Sequence, residues 1–310
     1  MKKVFIDGSA GTTGLRIAER LENRTDIELI KLKEENRKDI EFRKKALNDA
    51  DIVFLCLPDA AAIEAVSLIE NENTVVIDAS TAHRTNPQFA YGFPELSAKF
   101  EEKIKNSKRI AVPGCHASGI IALIYPLIES GIINRDVLLS CTSLTGYSGG
   151  GKKMIADYED KNRDVLLDSP RQYGLTQNHK HLPEIKAVTG IDNEPAFLPI
   201  VSDFYSGMEV TVPLFAKQLN NGFTVEDIKN VYKNKYNGPI VTFIDEISEN
   251  GFCAANKLSN KDSMEIYVSG NDERILLIAR YDNLGKGASG AAVECMNLSL
   301  GVCKTTGLEI

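Results

Sequence analysis

The sequence has no hydrophobic run long enough to cross a membrane. None of its apolar stretches approaches the roughly 18 residues that a membrane-spanning helix needs. Near the N-terminus, the short apolar run Val4-Phe5-Ile6 is followed at once by Asp7 and Gly8, so it does not continue as the core of a signal peptide. The sequence therefore predicts a cytoplasmic protein that is neither exported nor inserted into a membrane.

Cysteine and histidine are scarce and are not spaced as metal ligands. The six cysteines include no C-x-x-C pair, and the only close pair among the four histidines is His179 and His181. Structural zinc sites take four such ligands, usually at short and regular spacings. We therefore expect a reduced chain with no bound metal.

A concentrated basic region is also absent. The chain has 36 lysines and arginines against 43 aspartates and glutamates, a formal net charge of −7 and a pI near 5.3. This charge pattern excludes nucleic acid as an expected partner. Hydrophobic residues make up 43% and charged residues 25% of the chain, as in ordinary globular proteins. The length of 310 residues is about twice the ~150 typical of one domain, which predicts two domains.

The sequence does contain a glycine-rich turn close to its start. An apolar run at residues 3–7 leads into the turn, and apolar residues then recur at helical spacing from Leu15 to Leu21. A strand, a turn and a helix in this order let backbone N–H groups approach a pyrophosphate at the positive end of the helix dipole. The spacing is G-x-x-G-x-x-G, and such turns also occur in α/β domains that bind no nucleotide. The candidate dinucleotide-binding residues here are Gly8, Gly11, Thr12, Thr13 and Gly14.

Strand and helix patterns alternate through the first 115 residues. This alternation predicts an α/β fold with a Rossmann-type, doubly wound sheet. Further strand patterns lie at residues 27–30, 52–57, 74–78 and 109–112, and helical patterns lie at 38–47 and at 59–68, where Asp59 is expected to cap the helix after Pro58.

Charge at the end of the second strand bears on the choice of dinucleotide. NAD-selective domains place an acidic residue there to bind the ribose diol, whereas this chain has Lys31 and Lys33, with Arg37 shortly after. Basic groups at this position suit a 2′-phosphate and favour NADP (NADPH) as the cofactor. The alternative is a solvated loop in which the basic residues lie beside Glu34 and Glu35.

One cysteine has the sequence context of a nucleophile. Cys115 follows the strand pattern at 109–112, and apolar residues recur at helical spacing from Ile120 to Leu127, so the thiol is expected where a helix begins. A helix N-terminus lowers the pKa of a thiol and so raises the thiolate fraction. The contexts of Cys56, Cys141, Cys295 and Cys303 are apolar or helical and predict packing, while Cys253 is left unassigned.

After residue 137 the sequence becomes rich in strand patterns. They lie at residues 137–143, 208–214, 264–268 and 275–279, with a helical pattern at 225–232. These strand patterns, with one helical pattern among them, predict an α+β second domain with a mostly antiparallel sheet. In extended backbone His179 and His181 would point to one face, where one of them can act as an acid or base. Half of a metal site and a solvated loop are the alternatives.

Two segments carry candidate ligands for an anionic substrate. Arg84 follows the fourth strand pattern, and its guanidinium can fork onto a phosphate or a carboxylate at the ligand-binding edge of the sheet. Residues 147–153 are basic and rich in donors, and Ser148 and Lys152 are their candidate ligands for an acyl phosphate. A surface arginine and a mobile loop are the alternatives.

Five motifs are spread in order over most of the chain. They are GSAGTTG at 8–14, LCLPD at 55–59, DASTAHR at 78–84, PGCHASG at 113–119 and HKHLPEI at 179–185. Together they resemble the semialdehyde dehydrogenase family of the glyceraldehyde-3-phosphate dehydrogenase-like superfamily, and within it the short form of the N-acetyl-γ-glutamyl-phosphate reductases. Residues 282–293 also resemble this superfamily, in which a C-terminal helix returns to the nucleotide domain. We therefore predict a dinucleotide-binding domain at 1–115 plus 286–310, and a domain for catalysis, substrate binding and oligomerisation at 116–285.

The resemblance implies a reaction and the residues that perform it. It implies NADPH-dependent reduction of N-acetyl-L-glutamyl 5-phosphate to the 5-semialdehyde and phosphate in arginine biosynthesis, through a thioester on Cys115. A histidine of the fifth motif would be the acid/base, and His181 is preferred over His179 because Leu182-Pro183-Glu184 fixes its backbone and offers a carboxylate. A homo-oligomer, dimer or tetramer, is expected. The matching motifs add Pro58, Ser80 and Asn283 as cofactor contacts.

Three alternatives stay open on the sequence. Aspartate-semialdehyde dehydrogenase shares the glycine turn and the cysteine but acts on a substrate with a free α-amino group. A non-catalytic NADP-binding sensor would use the same nucleotide domain without chemistry. A cysteine hydrolase would use Cys115 and His181 without a cofactor.

Overall fold

The computed structural model describes residues 1–247 and 249–310, which form two compact units. The first unit comprises Met1–Pro113 and Ala288–Leu308, and the second comprises Gly114–Gly287 and Glu309–Ile310. In the part of the chain that is described, no helix combines the length and the apolar character that a membrane crossing requires.

The first unit is built on a six-stranded sheet with helices on both sides. Its strands are β1 (Lys2–Asp7), β2 (Ile27–Ile30), β3 (Ile52–Leu55), β4 (Val75–Asp78), β5 (Ala90–Tyr91) and β6 (Arg109–Ala111). Its helices are α1 (Thr12–Leu21), α2 (Ile40–Asp49), α3 (Asp59–Ser67), α4 (Ala98–Asn106) and, from the end of the chain, α9 (Gly290–Leu300). The strand order is β2-β1-β3-β4-β6-β5, and every neighbouring pair is parallel.

Apolar side chains alternate between the two faces of this sheet. In β3, Ile52 and Phe54 join the core that also holds α1, α4 and α9, while Val53 and Leu55 join the core beneath α2 and α3. Because both faces are covered, the strands are continuous apolar runs, as parallel strands in α/β proteins usually are. The α/β prediction for this half is confirmed, and the return of the C-terminal helix to this unit is observed as well.

The order of the strands reverses between β1 and β3. In open α/β sheets ligands bind outside the carboxyl ends of the strands at such a switch point. The glycine-rich turn follows β1 and therefore lies at this position.

The second unit carries a seven-stranded mixed sheet. Its strands are β7 (Ser140–Gly146), β8 (Arg171–Gln172), β9 (Ala196–Ser202), β10 (Met208–Phe215), β11 (Val241–Phe243), β12 (Met264–Gly270) and β13 (Arg274–Tyr281). Its helices are α5 (Cys115–Glu129), α6 (Gly151–Glu159), α7 (Leu182–Thr189) and α8 (Val225–Lys235). The order is β11-β12-β13-β10-β7-β9-β8, and the pairs are antiparallel except β11 with β12 and β7 with β9. The predicted α+β domain with a mostly antiparallel sheet is confirmed.

The helix α5 is buried along most of its length and forms the centre of the second unit. It contains Pro126, which has no N–H to donate to the carbonyl of Ala122 one turn earlier. The hydroxyl of Tyr236 donates to that carbonyl at 2.7 Å, and the hydroxyl of Tyr232 donates to the carbonyl of Leu123 at 2.5 Å. Two tyrosines from α8 and its C-terminal end therefore satisfy backbone groups of α5 and fix the helix in the core.

Candidate functional site

Cys115 is the first residue of α5, as the sequence predicts. The N-cap residue is Gly114, which supplies no side-chain acceptor to the first turn, and the cysteine is half-buried. The N–H groups of a first helical turn have no intrahelical acceptor, and they carry the positive end of the helix dipole. They can stabilise a thiolate, and they can also stabilise a negative charge that develops on an oxygen bound beside it.

The residue before the cysteine is held by a buried carboxylate. Glu184, in the first turn of α7, is 1% exposed, and its Oε1 accepts a hydrogen bond from the N–H of Gly114 at 2.8 Å. The sequence suggested this carboxylate as a group that orients His181. The observed contact is to the backbone that leads into Cys115, which this carboxylate helps to fix.

A tyrosine from the last strand forms hydrogen bonds with the backbone of the first turn of α5. The hydroxyl of Tyr281 donates to the carbonyl of Cys115 at 2.6 Å and accepts from the N–H of Gly119 at 3.0 Å. Gly119 leaves room for it, since a Cβ there would lie 2.7 Å from that hydroxyl oxygen and 2.8 Å from Cγ2 of Val210. Gly287 approaches from another side, where a Cβ would lie 3.2 Å from the Cβ of Cys115.

Three histidines of the second unit form one cluster. The ring centroids lie 4.7 Å apart for His179 and His181, 5.7 Å for His116 and His179, and 5.6 Å for His116 and His181. The expectation of extended backbone is wrong here, because His181 is helical in backbone conformation (φ −85°, ψ −15°) and caps α7. The two predicted histidines nevertheless meet, since the turn lets the N–H of His181 donate to Nδ1 of His179 at 3.2 Å.

His116 directly follows the cysteine, yet no sequence pattern predicted a role for it. His116 is 3% exposed, its Nδ1 lies 2.6 Å from Oγ of Ser143, and its Nε2 lies 2.6 Å from the hydroxyl of Tyr173. Burial, with smaller contributions from His179 and Lys180, lowers the pKa of His116 to about 3. His116 is therefore neutral at physiological pH.

Tyr173 is the second residue that the sequence analysis missed. Burial, and the nearby charge of Cys115, raise the pKa of the Tyr173 hydroxyl far above its ordinary value. The group is therefore a permanent hydrogen-bond donor near the thiol. No sequence signal marked it, because Tyr173 lies 57 positions from its partner His116 and follows a strand of only two residues.

The predicted substrate loop divides into a buried and an exposed part. Ser148 is 1% exposed, and its Oγ accepts from Nδ2 of Asn283 at 3.0 Å, while Oδ1 of Asn283 accepts from the N–H of Gly207 at 2.9 Å. Lys152 is exposed in the first turn of α6. The amide of Asn283, predicted to contact the cofactor, thus bonds within the second unit and holds the loop that carries Ser148.

In the first unit, the glycine turn has the close approach that glycine permits. Gly8 has φ +87°, and a Cβ on it would lie 2.3 Å from the carbonyl oxygen of Cys56. A Cβ on Gly14 would lie 2.5 Å from the carbonyl oxygen of Gly8. Thr12, Thr13 and Gly14 form the first turn of α1, whose N-cap Gly11 provides no side-chain acceptor. These N–H groups can hold a pyrophosphate in the way that dinucleotide-binding turns do.

A cavity of about 800 Å³ opens beside this turn. Its lining includes Gly8, Lys31 and Arg37, together with Lys38, which the sequence analysis did not select. Lys33 is not among the lining residues. The lining also includes Asp7, Glu34 and Glu35. The size of the cavity and its apolar groups fit the adenosine half of a dinucleotide, and its basic groups are available for a phosphate.

Asp7 and Arg43, which also line this cavity, form a buried ion pair. Nε and one terminal nitrogen of Arg43 donate to Oδ2 of Asp7 at 3.1 and 2.9 Å, and the other terminal nitrogen donates to Glu64 at 2.9 Å. Burial raises the pKa of Asp7, and the hydrogen bonds and charge of Arg43 oppose that shift. The pair joins α2 to the end of β1, directly before Gly8.

The other residues predicted in the first unit lie near the carboxyl ends of its strands. Arg84 is half-buried and donates to the carbonyls of Val112 at 2.9 Å and Ala79 at 3.1 Å. Oγ of Ser80 donates to Oδ2 of buried Asp78 at 2.8 Å. Pro58 occupies the N-cap of α3, so the expectation that Asp59 caps this helix is wrong.

The remaining cysteines divide differently from the expectation. All six are free thiols. Burial raises the pKa of Cys56 and of Cys141 to about 12, and Cys295 is buried in the core with α9, as expected for packing residues. The packing prediction is wrong for Cys303, which is exposed beyond the end of α9, and a hydrogen bond with Thr305 lowers its pKa. Within residues 1–247 and 249–310, no cluster of three or more ligands that could hold a metal is found.

Comparisons with known proteins agree with the resemblance drawn from the motifs. Residues 3–107 match the family model described as the NAD binding domain of semialdehyde dehydrogenase, and residues 115–283 match the model described as its dimerisation domain. N-acetyl-γ-glutamyl-phosphate reductases of Brucella ovis and Brucella suis are each 43% identical over 306 residues, which is 96% of this chain and 99% of theirs.

Solved structures of low sequence identity share the fold. Aspartate semialdehyde dehydrogenase II of Vibrio cholerae superposes with a TM-score of 0.73 at 15% identity, over 97% of this chain and 98% of that one. Aspartate semialdehyde dehydrogenase of Candida albicans, solved with NADP, gives a TM-score of 0.67 at 15% identity over 99% of both chains. With two family models matched in order and relatives that align from end to end, the chain belongs to the semialdehyde dehydrogenase family.

Proposed function

We propose that this protein is an N-acetyl-γ-glutamyl-phosphate reductase of arginine biosynthesis. It would reduce N-acetyl-L-glutamyl 5-phosphate to N-acetyl-L-glutamate 5-semialdehyde and phosphate through a thioester on Cys115. The observation that carries the proposal is 43% identity, across 96% of the chain, with reductases of that name. The position of Cys115 at the uncapped start of α5, beside a cluster of histidines in the same unit, supports the covalent mechanism.

In this mechanism the thiolate of Cys115 attacks the acyl carbon of the substrate. The bond from that carbon to the phosphate oxygen breaks, phosphate leaves, and the acyl group remains on sulfur. N–H groups of the first turn of α5 stabilise the charge on the carbonyl oxygen, and the brace by Tyr281 and Glu184 holds that turn in place.

The histidines supply and remove protons. We assign this work to His181, with His179 4.7 Å from it, because burial lowers the pKa of the third histidine, His116, to about 3 and keeps it neutral. The acid would protonate the oxygen of the reduced carbonyl, and its conjugate base would take that proton back when the carbon–sulfur bond breaks, the aldehyde forms and the thiolate is released. Ser148, Lys152 and Arg84 stay candidate ligands for the anionic groups of the substrate.

We propose NADPH as the reductant. When bound, it supplies the hydride that reduces the thioester. Three features support this: the close backbone approach at Gly8, the first turn of α1, which has no side-chain cap, and the cavity that Lys31 and Arg37 line. Arg37 and Lys31 would hold the 2′-phosphate, and the backbone of Gly11, Thr12, Thr13 and Gly14 would hold the pyrophosphate. Pro58, Ser80 and Asn283 stay lesser candidates for cofactor contacts.

A substrate panel tests the proposal in the reverse direction. The native protein is expected to reduce NADP⁺ with N-acetylglutamate semialdehyde and phosphate, and to prefer this aldehyde strongly over aspartate semialdehyde. Cys115→Ala is expected to abolish turnover while NADPH still binds, as fluorescence titration would report. A preference for aspartate semialdehyde would contradict the assigned substrate. NADPH binding without activity on either aldehyde would favour a sensor, and ester or amide cleavage without a cofactor would favour a hydrolase.

We further propose that the protein works as a homo-oligomer, since a matched family model describes residues 115–283 as a dimerisation domain. The proposed surface is the face of the seven-stranded sheet opposite α5. On β10, Val210, Val212 and Leu214 are buried on the α5 side, while Pro213 and Phe215 point the other way and are exposed. The same face also carries Glu209 and Arg280, which lie opposite each other and are buried. Exposed apolar side chains beside polar groups on one sheet face are typical of a dimer interface.

A further inference from the structure

A chain of three hydrogen-bonding side chains leads from the sheet of the second unit towards the thiol. Oγ of Ser143, on β7, lies 2.6 Å from Nδ1 of His116 in α5. Nε2 of His116 lies 2.6 Å from the hydroxyl of Tyr173, which follows β8. The three residues come from three elements, so the sheet and the helix must both be in place for the chain to form.

The middle member of this chain is constrained to one protonation state. His116 is 3% exposed, and its neighbours include the rings of His179 and His181 and the charge of Lys180. A second positive charge in this surrounding is disfavoured by burial and by repulsion. A neutral imidazole has one donor and one acceptor nitrogen, so it must accept from one hydroxyl and donate to the other.

The hydrogen-bond partners of Ser143 decide which groups donate and which accept along these three side chains. Ser143 is fully buried, and in the part of the chain that is described its hydroxyl has His116 as its only hydrogen-bond partner. A buried hydroxyl hydrogen that meets no acceptor is costly, so Ser143 donates to Nδ1. Nε2 of His116 then carries the hydrogen and donates to the oxygen of Tyr173.

This direction leaves the hydrogen of the Tyr173 hydroxyl available. In residues 1–247 and 249–310 that hydroxyl has no hydrogen-bond partner other than His116. Nε2–H of His116 donates to the hydroxyl oxygen, so it does not accept the hydroxyl hydrogen. Burial and, to a smaller extent, the charge of Cys115 raise the pKa of this hydroxyl, and the ring of Tyr173 lies 6.2 Å from that of His179. The hydrogen is therefore available to an acceptor outside these three side chains, and Cys115, which directly precedes His116, would carry the acyl group whose carbonyl oxygen can be that acceptor.

We propose that His116 is a positioning residue that, as a neutral Nε2–H imidazole held by Ser143, fixes the Tyr173 hydroxyl as a donor to the carbonyl oxygen of the acyl group on Cys115. The proposal rests on the proposed function, because it takes the acyl group from that reaction. Tyr173 thereby adds a side-chain donor to the backbone N–H groups of α5. Such a donor acts most strongly when the oxygen becomes negative in the transition state.

The first test does not depend on activity. The chain has four histidines, so the ¹⁵N-histidine spectrum of the native protein is simple, and the signals of His116 are assigned by their loss in His116→Gln. We expect His116 to stay neutral from pH 5 to 8 in the Nε2–H tautomer, and its signals to shift in Tyr173→Phe. Titration of His116 in that range, or the Nδ1–H tautomer, would overturn the proposal.

The second test is kinetic. Tyr173→Phe is expected to lower kcat about 100-fold with little change in KM, the usual effect of losing one donor to a developing oxyanion. His116→Gln keeps an amide N–H towards Tyr173 and should retain more activity than His116→Met, which keeps none. Tyr125→Phe, on the outer part of the same helix, is the control and should change kcat less than twofold. A kcat within twofold of the native value in Tyr173→Phe would overturn the proposal.

Failure of the assigned substrate would be distinguishable from failure of this inference. If the native protein does not turn over N-acetylglutamate semialdehyde, the tautomer and neutrality of His116 still decide the direction of the chain. The kinetic comparison is then made with the aldehyde that the native protein does accept.

Discussion

At the scale of single residues, the geometry around Cys115 depends on side chains outside its own helix. Tyr281 bridges the carbonyl of Cys115 and the N–H of Gly119, and Gly119 has no room for a Cβ. A hydroxyl that satisfies two backbone groups in the core contributes on the order of 1 kcal/mol per hydrogen bond. Its larger effect is on the first turn of α5, where a small displacement moves the thiol relative to the groups that activate it.

Tyr281→Phe should therefore slow the alkylation of Cys115 by iodoacetamide at neutral pH. The measurement is the labelling rate against pH in a Cys303→Ser background, because Cys303 is an exposed thiol with a lowered pKa. Tyr232→Phe is the matched control, since the hydroxyl of Tyr232 also donates to a carbonyl of α5, but in the middle of the helix. Both variants should lose stability, and equal labelling rates in the two would contradict a positioning role for Tyr281.

At the scale of elements, the segment after β2 should select the dinucleotide. Lys31 and Arg37 line the cavity, whereas Lys33 does not. Hydrogen bonds to a charged group contribute about 1.5–3 kcal/mol, so Arg37→Ala should weaken NADPH binding about 10- to 100-fold and leave NADH binding nearly unchanged. Lys33→Ala is the control, and titration of the cofactor fluorescence measures both. Equal weakening of NADPH and NADH would show that Arg37 does not contact the 2′-phosphate.

The burial and the length of the elements explain why some of them could be predicted from the sequence and others could not. The strands β3 and β4 are buried along their whole length and β1 is buried from Val4 to Asp7, so they contain continuous apolar runs that the sequence displays directly. The strands β5 and β8 have two residues each, carry no such run, and exist through pairing with β6 and β9. The helix α7 was not predicted, and its Pro183 occupies the first turn, where proline is tolerated.

The site could be predicted only where its residues belong to local patterns. Cys115 is marked by the strand before it and the helix after it, and the glycine turn is marked by its spacing. The partners of His116 are Ser143 on β7 and Tyr173 just after β8, which lie 27 and 57 positions away, and no local pattern connects them. Cys303 was assigned to packing because the helical pattern was extended past Leu300, where α9 ends.

At the scale of the whole molecule, the open face of the second sheet should join two copies. Pro213 and Leu276 lie opposite each other on β10 and β13, and Phe215 and Leu276 are 60% and 38% exposed. Phe215→Glu combined with Leu276→Glu should shift the protein to a smaller species in sedimentation experiments. Ile63→Glu, which adds the same charge at an exposed apolar position on α3, should not. An unchanged molar mass in the double variant would place the interface elsewhere.

The central claim is that the whole reaction passes through an acyl group on one sulfur, and one measurement tests it directly. The native protein is mixed with N-acetylglutamate semialdehyde and NADP⁺ in the absence of phosphate, which stops the reaction before the acyl group is released. We predict a burst of one NADPH per chain, an acyl adduct on the peptide that contains Cys115, and neither of these in Cys115→Ala. Turnover in that variant, or phosphate-dependent turnover of the native protein without burst or adduct, would contradict the thioester mechanism.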